Sequence, residues 1–553
     1  MTKHSEFSVM NSNYYLDWSN RPKPFKVYKD LSSFPLPKDF PHPTLNAIPA
    51  VSNLSRDNES FDNNIQIPSS LSFSKDDSKI ITLSDLSSLL FYSCGITRVM
   101  RFNSVDYYMR AASATGALYP IEVYVVTKGL GSELDAGIYH FNPGEFSLTV
   151  IHKGDHRNFL GTIAGNNTDI TTSPVSLIFT SYSWRNAWKY QSRSYRHWFW
   201  DAGVIVSNLL AVAGSMHLYP RLIMGFMDDQ LNRLLGLDDQ KEASILIAAL
   251  DVGSMKNNTS QEQGQSIYKK ILASPTPKVY PLSLEEIDYP EIWQAYNSSK
   301  LFDSAQVSKW ISHNRNGGVD ELDKKDNSNP GTLKQYSLPK PYVDNNGPDI
   351  GNTILKRGST RQFSRLPISF LTLSNILLNS TKGIPMDYKN DSDSFIDLYL
   401  VVNSVDGLEK GGYFFNPRNN SIDLIKYRPS HNISGHLCLD QSLFADASVV
   451  IFMMTDLKHV LAILGNRGYR AVQMEAGITA GKIYLLSYAS GLGASGSTFY
   501  DNEVTEFFSP HSKQKETLIA VGVGFPSYQS KSGSVLPVRL TREQMINASS
   551  TAS

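Results

Sequence analysis

At 553 residues the chain is too long for one hydrophobic core, and two or more domains are expected. Its 41% apolar and 19% charged residues are ordinary for a globular protein, and 52 basic against 52 acidic residues leave no net charge. That balance argues against nucleic acid or an anionic membrane surface as a partner. The two cysteines, Cys94 and Cys438, cannot build a disulfide framework or a thiolate cluster, and none of the 12 histidines sits at metal-ligand spacing, so no metal is expected. No apolar run reaches the ~18 residues of a membrane span and the N-terminus has no signal-peptide core, so a cytoplasmic protein is expected.

In chain order, residues 1–50 are polar, aromatic and proline-rich, and read as an N-terminal arm that packs by its aromatics. Residues 52–80 are rich in Ser, Asp and Asn and read as a loop. Ser84 is a candidate N-cap for a helix with Leu86, Leu89 and Leu90 on one face. Then comes Arg110-Ala-Ala-Ser-Ala-Thr-Gly-Ala-Leu-Tyr-Pro120, running into the strand pattern Ile121-Glu-Val-Tyr-Val-Val126. Its small residues make a surface of low bulk that a flat ligand could touch, and Gly116 permits close approach. Residues 138–141, before Asn142-Pro143-Gly144, predict a hairpin edge, and 175–180 a short apolar strand. Residues 188–213 predict a long helix, amphipathic and then nearly apolar, of the kind buried between two bodies. A strand over 245–252 closes a first domain of residues 51–253. Residues 254–344 read as linker, exposed over 255–264 and 314–331 with a helix over 291–309 between. A second domain covers 345–553. Trp184, Trp188, Trp198 and Trp200 cluster and read as a packed interface.

The second half repeats the first. Asn142-Pro143 matches Asn416-Pro417, Arg193-x-Tyr-Arg196 matches Arg467-x-Tyr-Arg470, and Asp201-Ala-Gly203 matches Glu475-Ala-Gly477. All three matches share one offset of 274 in numbering (143 to 417, 193 to 467, 203 to 477). Leu83-Ser84 matches Leu373-Ser374 at an offset of 290, so between those landmarks the second copy is shorter by the difference of the two offsets. The gap falls where the Gly-Ala-Leu-Tyr-Pro stretch should recur; the strand-like 391–399 stands in its place.

Two further stretches carry chemistry, both in the second copy. Lys356-Arg-Gly-Ser-Thr-Arg-Gln-Phe363 sets Arg357 and Arg361 four apart with the Ser359 hydroxyl between, a set able to hold a phosphate by charge-assisted bonds. Gly491-Leu-Gly-Ala-Ser-Gly-Ser497 follows an apolar helix and predicts a loop that exposes backbone N–H groups. The helix-then-glycine order excludes a dinucleotide fingerprint. The first copy has no arginine over 62–78 and the bulky Leu218-Tyr-Pro-Arg-Leu-Ile223 in place of the glycines. The losses are complementary: two sites cannot be assembled, and one composite site across the copies can.

Residues 110–124 resemble the SagB-type dehydrogenases of the nitroreductase superfamily, as do Lys189-Tyr-Gln-Ser-Arg-Ser-Tyr-Arg196, Asp201-Ala-Gly203 and the arm's Tyr15-Leu-Asp-Trp18. The chain departs from that family at Ser113-Ala114, where Pro-Ser is usual, and at Val204, where His is usual. The resemblance implies an α+β fold of two nitroreductase-like, FMN-dependent domains forming an intramolecular pseudo-dimer. It implies that Arg357, Ser359 and Arg361 hold the flavin phosphate, with Lys531 as a further basic contact. Ser113, Ala114, Thr115, Gly116 and Leu118 would border the isoalloxazine, and Gly493, Gly496 and Ser497 would lie near its redox-active edge. Lys189 and Tyr190 match the family's catalytic Lys-Tyr pair and are the acid/base candidates. Azoline-like or other small-molecule or peptide-derived substrates follow, with nicotinamide, quinone or oxygen as second redox partner. An NAD(P)H-dependent nitro or quinone reductase, and a scaffold within a peptide-modifying complex, remain open beside the dehydrogenase.

Overall fold

The computed structural model describes residues 3–5, 14–52, 80–102, 105–251, 274–315, 331–340, 346–390, 393–427, 432–529 and 531–548. The 62–78 segment, and most of the loop over 52–80 and of the exposed stretches 255–264 and 314–331, lie outside these residues, as do residues 391 and 392 of the strand-like stretch.

The first half contributes β1 (Ser33–Pro35), α1 (Leu83–Cys94), a two-stranded hairpin of β2 (Ile96–Phe102) and β3 (Val105–Arg110), then β4 (Ile121–Thr127), β5 (Gly137–Asn142), β6 (Ser147–Lys153), β7 (Val175–Tyr182), α2 (Ser183–Tyr190), α3 (Ser194–Ser215), β8 (Tyr219–Ile223) and β9 (Glu242–Asp251). Helices α4 (Pro290–Asn297) and α5 (Ser304–Arg315) follow. The second half contributes β10 (Lys334–Ser337), α6 (Ile350–Lys356), α7 (Phe370–Ser380), β11 (Asp397–Val402), β12 (Gly411–Asn416), β13 (Ser421–Tyr427), β14 (Val449–Thr455), α8 (Leu457–Leu464), α9 (Gly468–Ala489), β15 (Gly493–Ser497) and β16 (Glu516–Gly524).

Two seven-stranded sheets result, ordered β1-β6-β5-β4-β7-β9-β8 and β10-β13-β12-β11-β14-β16-β15. The order is the same, and the offset of the repeated motifs also separates the starts of β5 and β12, β6 and β13, β7 and β14, α2 and α8, α3 and α9, β8 and β15, and β9 and β16. Among the described residues the hairpin β2–β3 belongs to the first half alone, within the interval by which the second copy is shorter.

The repeated motifs mark contacts between the halves. Helices α3 and α9 cross where a Cβ on Gly203 would stand 2.5 Å from the Gly477 carbonyl carbon, and one on Gly477 2.7 Å from the Phe199 oxygen. Only glycine at both positions lets the backbones approach this closely. Arg193 and Arg196 reach Asp501 of the second half at 3.1 and 2.8 Å, while Arg467 and Arg470 reach Asp228 of the first, both at 2.7 Å. This reciprocity is the signature of a two-fold interface, here inside one chain. The four arginines and both aspartates are buried, so each carboxylate is compensated by two guanidinium groups.

Several local expectations shift. Thr82, not Ser84, caps α1, through a capping box with Asp85. The long helix over 188–213 is two helices, broken at Gln191, whose φ is +48°. Residues 138–141 lie in an interior strand, between β6 and β4, so the hairpin is present but is no edge. The helix over 291–309 is α4 and α5, interrupted where Leu301 N–H donates to Asp228 at 2.9 Å. The glycine stretch forms the edge strand β15, paired along its length with β16, instead of a loop. The four tryptophans are buried as a packed interface, Trp200 donating to Gln473 of the other half at 2.6 Å. Among the described residues one stretch, 183–215, is long and apolar enough to cross a membrane, and it is buried against the second half.

Candidate active site

Arg357 follows the C-terminus of α6 and leaves its own half. Its Nε donates to the Ala111 carbonyl at 2.9 Å and its Nη2 to the Arg110 carbonyl at 3.1 Å. The second half's arginine segment is thereby fastened to the start of the first half's small-residue stretch. Arg357 Nη1 makes no bond to the described residues and is not sealed. Arg98 returns the link, donating to the Leu355 carbonyl at 3.0 Å. The guanidinium of Arg357 is buried, and desolvation pulls its pKa down from the ordinary arginine value.

The small-residue stretch holds an unusual course. Gly116, Ala117 and Tyr119 all have positive φ (65°, 54° and 48°). The turn is pinned by Asp201 on α3, whose Oδ1 accepts from Thr115 N–H at 2.8 Å and from the Thr115 hydroxyl at 2.7 Å. Asp201 Oδ2 is buried without a partner, and burial raises this carboxyl from 3.8 to about 7. Asn186 donates to the Thr115 carbonyl at 3.3 Å and accepts from His197 Nδ1 at 2.5 Å. Ser113, Ala114 and Thr115 are half-buried and Gly116 is exposed. Leu118 is buried and turns toward the arm.

Lys189 and Tyr190 end α2 beside this turn. The Tyr190 hydroxyl lies 2.9 Å from where a Gly116 Cβ would stand, so only glycine admits it. Lys189 lies over the Tyr190 ring at 5.4 Å and Tyr190 packs edge-on against His197 at 4.7 Å. Desolvation, then the charges of Arg21 and Arg361, lower the Lys189 pKa although its side chain is partly exposed. Desolvation, then Asp201, raise that of Tyr190. The same Arg361 acts on both groups, so arginine segment, turn and Lys-Tyr pair meet in one place.

Arg361 is exposed, Ser359 half-buried, and neither side chain bonds to protein among the described residues. Arg21, Lys189 and Arg361 likewise form no ion pair among the described residues, and they crowd closely enough to depress Lys189. Cations gathered without a counter-ion suit an anionic ligand. Behind them, Thr360 N–H donates to Ala494 on β15 at 2.9 Å, and a Cβ on Gly493 would strike Thr360 Oγ1 at 2.1 Å. Gly493 thus serves packing of the arginine segment. Gly496 is exposed, its N–H donating to Tyr484 at 2.5 Å, and Ser497 accepts from Gln441 at 3.1 Å. Lys531 is exposed, beside Gly533 and Ser534, whose N–H groups donate to Leu355 and Thr97 at 2.8 and 2.7 Å.

The position related by the pseudo-symmetry is built differently. Leu222, the counterpart of Gly496 at the repeat offset, is fully buried. Its N–H donates to Pro385 and its carbonyl accepts from Asp387 N–H, both at 2.9 Å. Asp387 also accepts from Gly225 N–H at 2.7 Å. Trp310 of α5 fills the remaining space, packed at 5.4 Å against Tyr388 and so close that a Gly225 Cβ would stand 2.6 Å from it. Lys189 and Tyr190 correspond there to Ile463 and Leu464.

No family model matches the chain. A Methanocaldococcus jannaschii protein, provisionally named a nitroreductase, is 29% identical over 163 residues, covering 28% of this chain and 82% of that protein. The crystal structure of an Anabaena variabilis protein, provisionally named in the same way, aligns over 95% of this chain and 98% of its own, with a TM-score of 0.71 and 25% identity. The fold is a nitroreductase fold. It occurs twice in this chain, the two nitroreductase-like units packed as an intramolecular pseudo-dimer.

Asp201, Asn186, Arg21 and Tyr484 were not among the residues singled out from the sequence as site residues. Asp201 had a signal, since its Asp-Ala-Gly motif recurs as Glu475-Ala-Gly. The others contribute through tertiary placement that no local pattern announces.

Proposed function

We propose that the chain is an FMN-dependent oxidoreductase, a dehydrogenase of the SagB type, with one composite flavin site between residues 110–118 and 189–190 of the first half and residues 357–361 and 493–497 of the second. The observation that carries this reading is the Arg357 link to the Ala111 and Arg110 carbonyls, because it sets an unpaired Ser359 and Arg361 beside the exposed turn. The domain limits of 51–253 and 345–553, with the arm and linker outside them, belong to the same proposal. The names of the relatives also favour an oxidoreductase.

The residues fit such a cofactor. Ser359 and Arg361, with the free Nη1 of Arg357, offer donors to a phosphate, and Lys531 is the further cation of that edge. The turn 113–116 offers main-chain surface to a flat ring, and the exposed Gly496 and half-buried Ser497 offer the opposite edge. Bound FMN would supply two-electron, hydride-equivalent redox chemistry.

The chain's own groups divide the proton work. Tyr190 is held protonated, so it donates a hydrogen bond from its hydroxyl. Lys189, pushed toward its neutral form, is the group able to take a proton at Nζ. Asp201 holds the turn that Tyr190 packs against. An NAD(P)H-dependent reduction of nitro or quinone compounds is the second reading, favoured by the relatives' names alone.

The test is reconstitution of the full chain with FMN. A yellow protein that oxidises azoline-bearing peptides supports the dehydrogenase. One bleached by NAD(P)H and inert to azolines supports the reductase. A protein that takes up no FMN contradicts both.

A further inference from the structure

Beside the turn, on the side of the arm, lies a recess. Its walls come from three elements: the arm at Arg21, Pro22 and Pro24, the hairpin strand β3, and residues 117–119. The second half has neither such an arm nor such a hairpin among its described residues.

Its polar equipment is asymmetric. Arg21 is half-buried, with its guanidinium over the Tyr107 ring at 5.0 Å and no ion pair among the described residues. The recess also contains a carboxylate, Asp106, but Arg101 already holds it through bonds of 2.8 and 3.0 Å. Asp106 therefore does not neutralise Arg21. Lys189, on which the charge of Arg21 acts, is positive as well. The rest of the wall is apolar or aromatic: Tyr107, Tyr108, Met109 and Leu118. A planar guanidinium fixed against a ring presents its N–H fork in one orientation, which suits a carboxylate better than a single ammonium would. The ring faces and Leu118 suit a flat apolar body.

We propose that this recess binds the organic substrate, that the substrate class is a small aromatic or conjugated carboxylate, and that Arg21 is the residue that holds its carboxylate. The inference rests on the composite redox site for its meaning, since the recess opens beside Ala117 and Leu118 of the turn. Binding at the recess can nonetheless be measured without turnover.

The probes are cinnamate and its neutral isostere cinnamamide, titrated into the full chain by calorimetry, with and without FMN, at low salt. Cinnamate is expected to bind about tenfold more tightly than the amide, as one charge-assisted bidentate contact provides. Arg21→Gln is expected to abolish that difference in the chain without FMN, and Tyr107→Leu to weaken both probes. Equal binding of acid and amide to the native chain would overturn the proposal. So would an acid preference that survives Arg21→Gln. A chain that shows the acid preference but takes up no FMN would sink the redox reading and leave the recess assignment standing.

Discussion

The two pseudo-symmetric positions of this molecule share strand order, helix crossing and arginine pairs, yet differ where a ligand would sit. At one, Gly496 is exposed and Ser359 and Arg361 are unpaired. At the other, Leu222 is buried and its main chain is bonded to Pro385 and Asp387, while Trp310 fills the space beside Gly225. At the first, Arg21, Lys189 and Arg361 form no ion pair among the described residues. The second has its polar main chain satisfied and its space filled by an aromatic ring. A duplicated fold can therefore keep its interface intact and let one of two equivalent clefts close. The residues that maintain the interface (Gly203, Gly477 and the four arginines) are those that recur. The residues that would make chemistry occur once.

That contrast can be broken deliberately. The largest expected effect is on stability. Trp310→Ala should lower it by about 3–5 kcal/mol, as for a buried aromatic truncated in a packed core, read as a fall in thermal midpoint. The flavin content of the variant should not rise. A second flavin in Trp310→Ala would mean that the closed cleft lacks only space, contrary to the main-chain pairing at Leu222. Next in size is the proton chemistry. Lys189→Met should slow turnover about 100-fold with FMN retained, and unchanged turnover would remove Lys189 from the mechanism. Arg361→Ala should weaken FMN about tenfold or more by removing one charge-assisted contact, measured by equilibrium release of flavin. Unchanged affinity would mean that the phosphate lies elsewhere.

The smallest effect expected is a pH dependence. The Asp201 carboxyl sits near 7 in the folded chain, above its usual value near 4 when unfolded. The folded state then binds the extra proton between these values, so the stability from this group is full below about pH 4 and falls as pH rises toward and through 7. Asp201→Asn should flatten that part of a plot of unfolding midpoint against pH. A native slope that persists in the variant would assign it to other groups. Glu475, the counterpart, lies 3.5 Å from Lys389 instead.

Much of the architecture was legible because the repeat is a matter of sequence identity at fixed spacing. The motifs Arg-x-Tyr-Arg and Ala-Gly survive in both copies because crossing helices and buried carboxylates tolerate no substitute. The complementary losses were legible for the same reason: a glycine stretch against Leu-Tyr-Pro-Arg-Leu-Ile needs no structure to be seen. What escaped depends on tertiary pairing. Glycine-rich 493–497 has little strand propensity and becomes a strand because β16 supplies its partner. The break at Gln191 is invisible to periodicity because the apolar positions continue across it. The closure of the second cleft joins Leu222 to Pro385 and recruits Trp310 from a stretch expected to be mostly exposed linker. Arg21 lay within an arm read only as packing, and its place over Tyr107 follows from a hairpin that no pattern announced.

The central claim is one ligand-bearing cleft and one closed cleft in a symmetric frame. The ratio of tightly bound FMN to polypeptide in the reconstituted full chain, from flavin absorbance after heat release and protein by amino-acid analysis, tests it most directly. The account predicts a ratio of about one, reduced by Arg361→Ala and unaltered by Trp310→Ala. A ratio near two, or FMN retained in full by Arg361→Ala, would contradict it.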